Sequence, residues 1–145
     1  MEKGHNMNKH QCILLDELYK ESQTSLSFEF HKRVDDDDAI YYFTVVGSFE
    51  NMRFYTELAL FDSDIEKLKA FKCKSPVSEI HFIEPDVTFT IIKRGRHDIS
   101  VYVNIDSGLR FSNIVSESGC TIKINVSRKT FYQFIKEIIA VQHYE

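Results

Sequence analysis

The chain contains no tryptophan, only two prolines and only three cysteines, and each shortage excludes something. Two prolines beside a hydrophobic content of 43% and an aromatic content of 13% argue against disorder, because enough apolar surface is present to offset the entropy of ordering the chain. With no Trp, twelve Phe and seven Tyr point to a core built from aromatic and β-branched side chains. Cys12, Cys73 and Cys120 are odd in number, far apart and outside any C-x-x-C pair, which fits buried thiols in a reducing compartment better than a disulfide framework or a zinc site. No run reaches the 18 or so apolar residues of a membrane span, and the stretch Met1 to Met7 has no apolar signal region. The expected location is therefore cytoplasmic, with no membrane contact. No G-x-x-x-x-G-K-[ST] or G-x-G-x-x-G is present, so these loops give nucleotide binding no support.

A chain of 145 residues is one domain by size and can bury roughly two-thirds of its unfolded surface, so it needs no disulfide or metal staple. Residues 1–145 are read as a single domain, with residues 1–10 flexible or appended and Met7 an alternative start. The net charge of −4 is unevenly spread: residues 1–71 carry 14 acidic against 8 basic side chains, residues 72–145 carry 8 against 10. The one cationic cluster along the chain, Lys93-Arg94-Gly95-Arg96, falls at an expected hairpin tip, where solvated charge is ordinary. Direct nucleic-acid binding is not expected on that basis.

Period-2 alternation dominates the pattern. Between Glu79 and Ile105, Val87, Phe89 and Ile91 oppose Thr88 and Thr90, and Ile99, Val101, Val103 and Ile105 oppose Ser100, Tyr102 and Asn104, as in the middle of an antiparallel sheet. Glu84-Pro85-Asp86 makes a tight corner before the second run, since Pro85 has no N–H for a ladder. Leu26, Phe28 and Phe30 mark a half-buried strand running into Asp35-Asp36-Asp37-Asp38, four adjacent carboxylates that belong in a loop. Ile40 to Val46 is apolar on both sides and predicts a strand covered on both faces; Gly47-Ser48 then predicts a turn into the run Met52 to Leu60. Cys12 to Leu15 fits either a strand or a helical turn. Two further strands are expected at Leu109 and Phe111 and at Cys120 to Val126, after the Gly-containing turns at 106–108 and 117–119.

Two segments change period. Ser63-Asp64-Ile65-Glu66 matches the S-x-x-E capping box, followed by Ile65, Leu68 and Phe71 at helical spacing, with Lys67, Lys69, Lys72 and Lys74 toward the C-terminal end. Ser127 can cap a last helix whose stripe is Phe131, Phe134, Ile135, Ile138 and Ile139, an apolar face that needs a sheet to lie on. The expected fold is α+β and mostly β: a single domain with a curved antiparallel sheet of about eight strands and two helices.

No catalytic set stands out. His81 and Glu84 on a strand point to opposite faces, wrong for shared ligation even with Asp86 nearby. His97-Asp98 sits among arginines with no Ser or Cys nucleophile placed beside it. Asp35, Asp36, Asp37 and Asp38 lack the alternation, Gly and distant Glu of a calcium loop, so they read as a solvated loop first and an acidic contact patch for a basic partner second. The expectation is no enzyme, no cofactor and no metal site.

Leu26-Ser27-Phe28-Glu29-Phe30, Asp38-Ala39-Ile40-Tyr41-Tyr42, Asp64-Ile65-Glu66-Lys67-Leu68 and Phe82-Ile83-Glu84-Pro85-Asp86-Val87-Thr88-Phe89, in that order, resemble the WapI family of immunity proteins over residues 24–140. Ile40-Tyr41 departs from the Asn-Trp pair expected there. The resemblance implies a bacterial, non-enzymatic protein that binds and neutralises a cognate polymorphic toxin domain, and the acidic first half, with Asp35 to Asp38 as its densest point, suits steering toward a cationic partner. The alternative is a β-rich domain that holds a small apolar ligand in its curved sheet. The oligomeric state and the particular toxin are not written in the sequence.

Overall fold

The computed structural model describes residues 10–105 and 120–144. Eight antiparallel strands and two α-helices are found there, the strands divided into two four-stranded sheets rather than joined in one curved sheet. The first sheet has the order β1 (Gln11–Leu15), β2 (Ser25–Asp35), β3 (Ala39–Phe49), β4 (Met52–Phe61); the second has β5 (Val77–His81), β6 (Val87–Lys93), β7 (Asp98–Ile105), β8 (Cys120–Ser127). Between them come α1 (Asp62–Ala70) and, after β8, α2 (Arg128–Ile139). The break has a physical cause. Helix α1 separates β4 from β5, and the free edge of β4 is closed by a side chain, Ala59 N–H donating to Glu84 Oε1 at 2.9 Å. The strand expected at Leu109 and Phe111 lies outside the described residues.

One core joins all of these elements. The first sheet turns Cys12, Leu14, Leu26, Phe28, Phe43, Val45, Leu58 and Leu60 inward; the second turns Ile80, Phe89, Ile91, Val101, Val103 and Ile124. Phe28 and Phe89 meet across the sheets with ring centroids 6.1 Å apart, and α2 adds Phe134 edge-on to Phe28 at 5.7 Å and Phe131 edge-on to Phe89 at 6.2 Å. Helix α2 packs along β1, β8 and α1, so the i, i+3, i+4, i+7 stripe fills the open side between the sheets and also touches their edges. Ser127 caps it as expected, accepting from Thr130 N–H at 3.1 Å.

Several local expectations need correcting. Gly47-Ser48 is not a turn: the ladder continues through Phe49 opposite Met52, and the chain reverses at Glu50-Asn51, with Glu50 at φ 54°. Glycine suits position 47 for another reason. A Cβ there would lie 2.9 Å from Ile105 Cδ1 and 3.0 Å from Ile122 Cδ1, so β3 at Gly47 comes close to side chains of the facing sheet. The strand at Ile40 to Val46 is covered only in part on its outer face; Tyr41, Phe43 and Val45 are buried on the inner face, and on the outer one Val46 is buried while Ile40 and Tyr42 are partly exposed. The Ser63/Glu66 capping box is absent, and Asp64 does the work: its fully buried carboxylate accepts from Phe61 N–H at 3.0 Å and from Ile83 N–H at 3.1 Å, tying the start of α1 to the turn after β5. The Cys12 to Leu15 group, open to two readings by periodicity, is the edge strand β1.

Candidate partner-binding surface

The predicted acidic loop is the tip of the β2–β3 hairpin. Asp35 is the last residue of β2, paired with Ala39, and Asp36, Asp37 and Asp38 form the reversal, closed by Asp36 N–H donating to Asp38 O at 3.2 Å. All four side chains are exposed. A register shift between Phe30 and Lys32 changes which side chains of β2 face inward. Arg33 is thereby set opposite Tyr41, its guanidinium 5.6 Å from that ring, and donates to Asp35 Oδ1 at 2.8 Å and to Gln142 O at 3.1 Å. The Asp35 hydrogen bond, more than any other contact, raises the guanidinium above its ordinary pKa. Arg33 thus anchors the base of the tip to the chain after α2.

Folding adds a carboxylate that chain order did not suggest. Asp62, at the start of α1, accepts from Tyr41 Oη–H at 3.1 Å and from Ala39 N–H at 3.4 Å, directly under the tip. Burial first, then this bond to Asp62, raises the Tyr41 hydroxyl, which keeps it a donor. One end of the molecule therefore presents Asp35, Asp36, Asp37, Asp38 and Asp62 against Arg33 and Lys32, and Lys32 is turned to the outer face over the Tyr42 ring at 5.3 Å.

The other candidates are dispersed by the fold. His81 ends β5 on the outer face and bonds Glu79 at 3.1 Å, whereas Glu84 lies past the strand and reaches the β4 edge; Asp86 is buried. His97 and Asp98 are exposed at the β6–β7 tip and use their carbonyls structurally, toward Arg128 N–H at 2.7 Å and Arg94 N–H at 2.9 Å. Among the described residues no group of His, Cys, Asp or Glu is arranged to hold a metal ion. Cys12 and Cys73 are buried and Cys120 is half-buried; burial first, with Glu137 adding, pushes the Cys12 thiol up to about 12, and burial raises the other two. A thiol so protonated is a poor nucleophile.

Sequence reasoning missed Asp16, which has no motif around it. Its carboxylate is nearly buried between the sheets and accepts from Asn125 N–H at 2.6 Å, Asn125 Nδ2 at 3.0 Å, Leu18 N–H at 3.1 Å and Tyr19 N–H at 2.5 Å. Asn125 in turn accepts from Ser100 Oγ at 2.7 Å. Burial is the largest influence on Asp16 and pushes its carboxyl up, but the bonds from Asn125, Tyr19 and Leu18 together outweigh it and hold the group below the ordinary carboxylate value. Beside this network a cleft of about 600 Å³ opens at the rim of the fold, with Tyr19, Phe49, Met52 and Phe54 against β8. Space for an apolar ligand thus lies at the rim, outside the aromatic core.

No family model matches the chain, and no curated protein or solved structure is significantly similar to it. No helix among the described residues is long and apolar enough to cross a membrane.

Proposed function

We propose that this is a non-enzymatic immunity protein that binds and neutralises a cognate toxin domain through the acidic end built on Asp35 to Asp38 and Asp62. The observation that carries the reading is the gathering of five carboxylates from β2, the hairpin tip and α1 at one end, with only Asp35 in an ion pair among the described residues. Such an end costs stability through self-repulsion and favours a cationic partner, whose approach it accelerates. The family resemblance supplies the kind of partner. Holding a small apolar ligand is the second reading, favoured by the apolar cleft at the rim; it ranks below because Phe49 and Met52 leave that cleft open to solvent.

The test requires a toxin domain encoded by a neighbouring reading frame, the partner that this reading predicts. Replacing Asp35, Asp36, Asp37 and Asp38 together by Asn should slow association by about ten-fold at low salt, with the difference shrinking toward about 0.15 M ionic strength and dissociation little changed. Equal association rates would eliminate the acidic-end mechanism, and failure of the parent protein to bind that toxin or protect cells from it would sink the immunity reading.

A further inference from the structure

The end of α2 remote from the acidic tip has the opposite character. The linear sequence shows there only the cluster Lys93 to Arg96, but the fold lays the β6–β7 tip against the first turns of α2. Arg128 N–H donates to His97 O at 2.7 Å, and the Arg128 guanidinium donates to Arg96 O. A cleft of about 540 Å³ results, with Arg96 and His97 on one side and Arg128, Lys129 and Lys136 on the other. Lys129, Gln133 and Lys136 are exposed, spaced i, i+4, i+7 on the helix face turned away from the buried stripe.

Tyr132 lines the same cleft, but its hydroxyl accepts from Cys73 N–H at 2.8 Å, which brings the loop carrying Lys72 and Lys74 alongside. None of these cations makes an ion pair among the described residues. The carboxylate at the start of α2, Glu17, is engaged by Ser127 N–H and Thr130 Oγ1–H, both at 2.8 Å. Four formal cations therefore line a concave site to which, among the described residues, no carboxylate contributes, Glu17 lying beside it on Ser127 and Thr130.

We infer that this cleft is an anion site for the phosphodiester backbone of a nucleic acid. Arg96 and Arg128 both line the cleft, and a guanidinium suits phosphate oxygens, which it bonds in pairs. Lys129 and Lys136 are seven residues apart, about 10 Å along the helix, so their ammoniums can meet different phosphates of one strand while the arginines take another, about three contacts in all. An acidic protein surface is disfavoured, because among the described residues of the lining only the half-buried Tyr132 ring is apolar, and it offers no pocket for the hydrophobic anchors that hold protein partners. The site is independent of the acidic end, and its test needs no toxin.

The measurement is fluorescence anisotropy of labelled single-stranded RNA and DNA dodecamers of mixed sequence. Both should bind at about 50 mM salt with a slope of log affinity on log salt near −2, or roughly a sixteen-fold loss by about 200 mM. A 2′-hydroxyl contribution would show as an RNA preference. The pair Lys129→Glu and Lys136→Glu should weaken binding at least about ten-fold and flatten the slope, and Lys129→Gln with Lys136→Gln should do so in part. The pair Arg53→Glu and Lys123→Glu, which changes net charge equally at exposed positions of β4 and β8, should stay within about two-fold of the parent. Absence of binding at low salt, equal losses in the two charge-reversed pairs, or displacement of the oligonucleotide by poly-glutamate at equal charge would each overturn the inference, the last in favour of an acidic protein partner.

Discussion

Replacing Asp16 by Ala removes the one carboxylate on which the end of β1, the segment to Tyr19 and strand β8 converge. Two of its four donors, the main-chain N–H and the Nδ2 of Asn125, belong to a residue only 2% exposed, so water does not readily replace the lost acceptor. A buried donor left unsatisfied costs about 1–3 kcal/mol. The other two, at Leu18 and Tyr19, lie in an exposed segment and rehydrate with little penalty. The expected loss is about 2–6 kcal/mol, a large part of a total stability of about 5–15.

Asp16→Asn should cost less, since one acceptor oxygen remains, but its NH₂ then faces donors on the other side. Urea unfolding followed by circular dichroism at neutral pH reads these differences. The pH dependence is a second check, and its sign is set by the folded carboxyl titrating below its ordinary value. The stability it contributes is complete above the unfolded value near about 4 and disappears as pH falls through that value toward the lower folded one. The gap between parent and Asp16→Ala should therefore be constant from about pH 7 to 5 and narrow below about pH 4. An Ala variant within about 0.5 kcal/mol of the parent, or a gap unchanged down to about pH 3, would refute the reasoning.

Two further substitutions test the packing. Gly47→Val should destabilise by about 1–3 kcal/mol, because its branches collide with the tips of Ile105 and Ile122, whereas Gly47→Ala should cost less since those tips can shift; thermal melts that rank Val at or above glycine would contradict the close approach of the sheets. Ile135→Asp puts a charge into the buried stripe of α2 and should cost several kcal/mol or so, enough to unfold a marginal domain; a parent-like Tm would mean that the helix is not docked between the sheets.

Local pattern determined much of this architecture. Alternation at Val87 to Ile91 and Ile99 to Ile105 specified β6 and β7 as central strands, because side chains of a strand point alternately to two faces and a one-residue slip would expose the whole apolar set. The stripe Phe131, Phe134, Ile135, Ile138 with Ser127 before it specified α2 for the corresponding helical reason. The Asp35 to Asp38 tip was also legible, since four adjacent carboxylates cannot share a buried site. Pattern could not say which edge pairs with which. Edges are closed by contacts distant in sequence: Glu84 on Ala59 N–H, Asp16 and Glu17 on β8. Those contacts divide eight strands into two sheets. For the same reason Gly47 read as a turn, when only the facing sheet reveals the space it must leave. Charge behaved alike: chain order displays Lys93 to Arg96 and Asp35 to Asp38, but tertiary structure added Arg128, Lys129 and Lys136 to one end and Asp62 to the other. Electrostatic potential follows distance in space, and distance along the chain is silent about it.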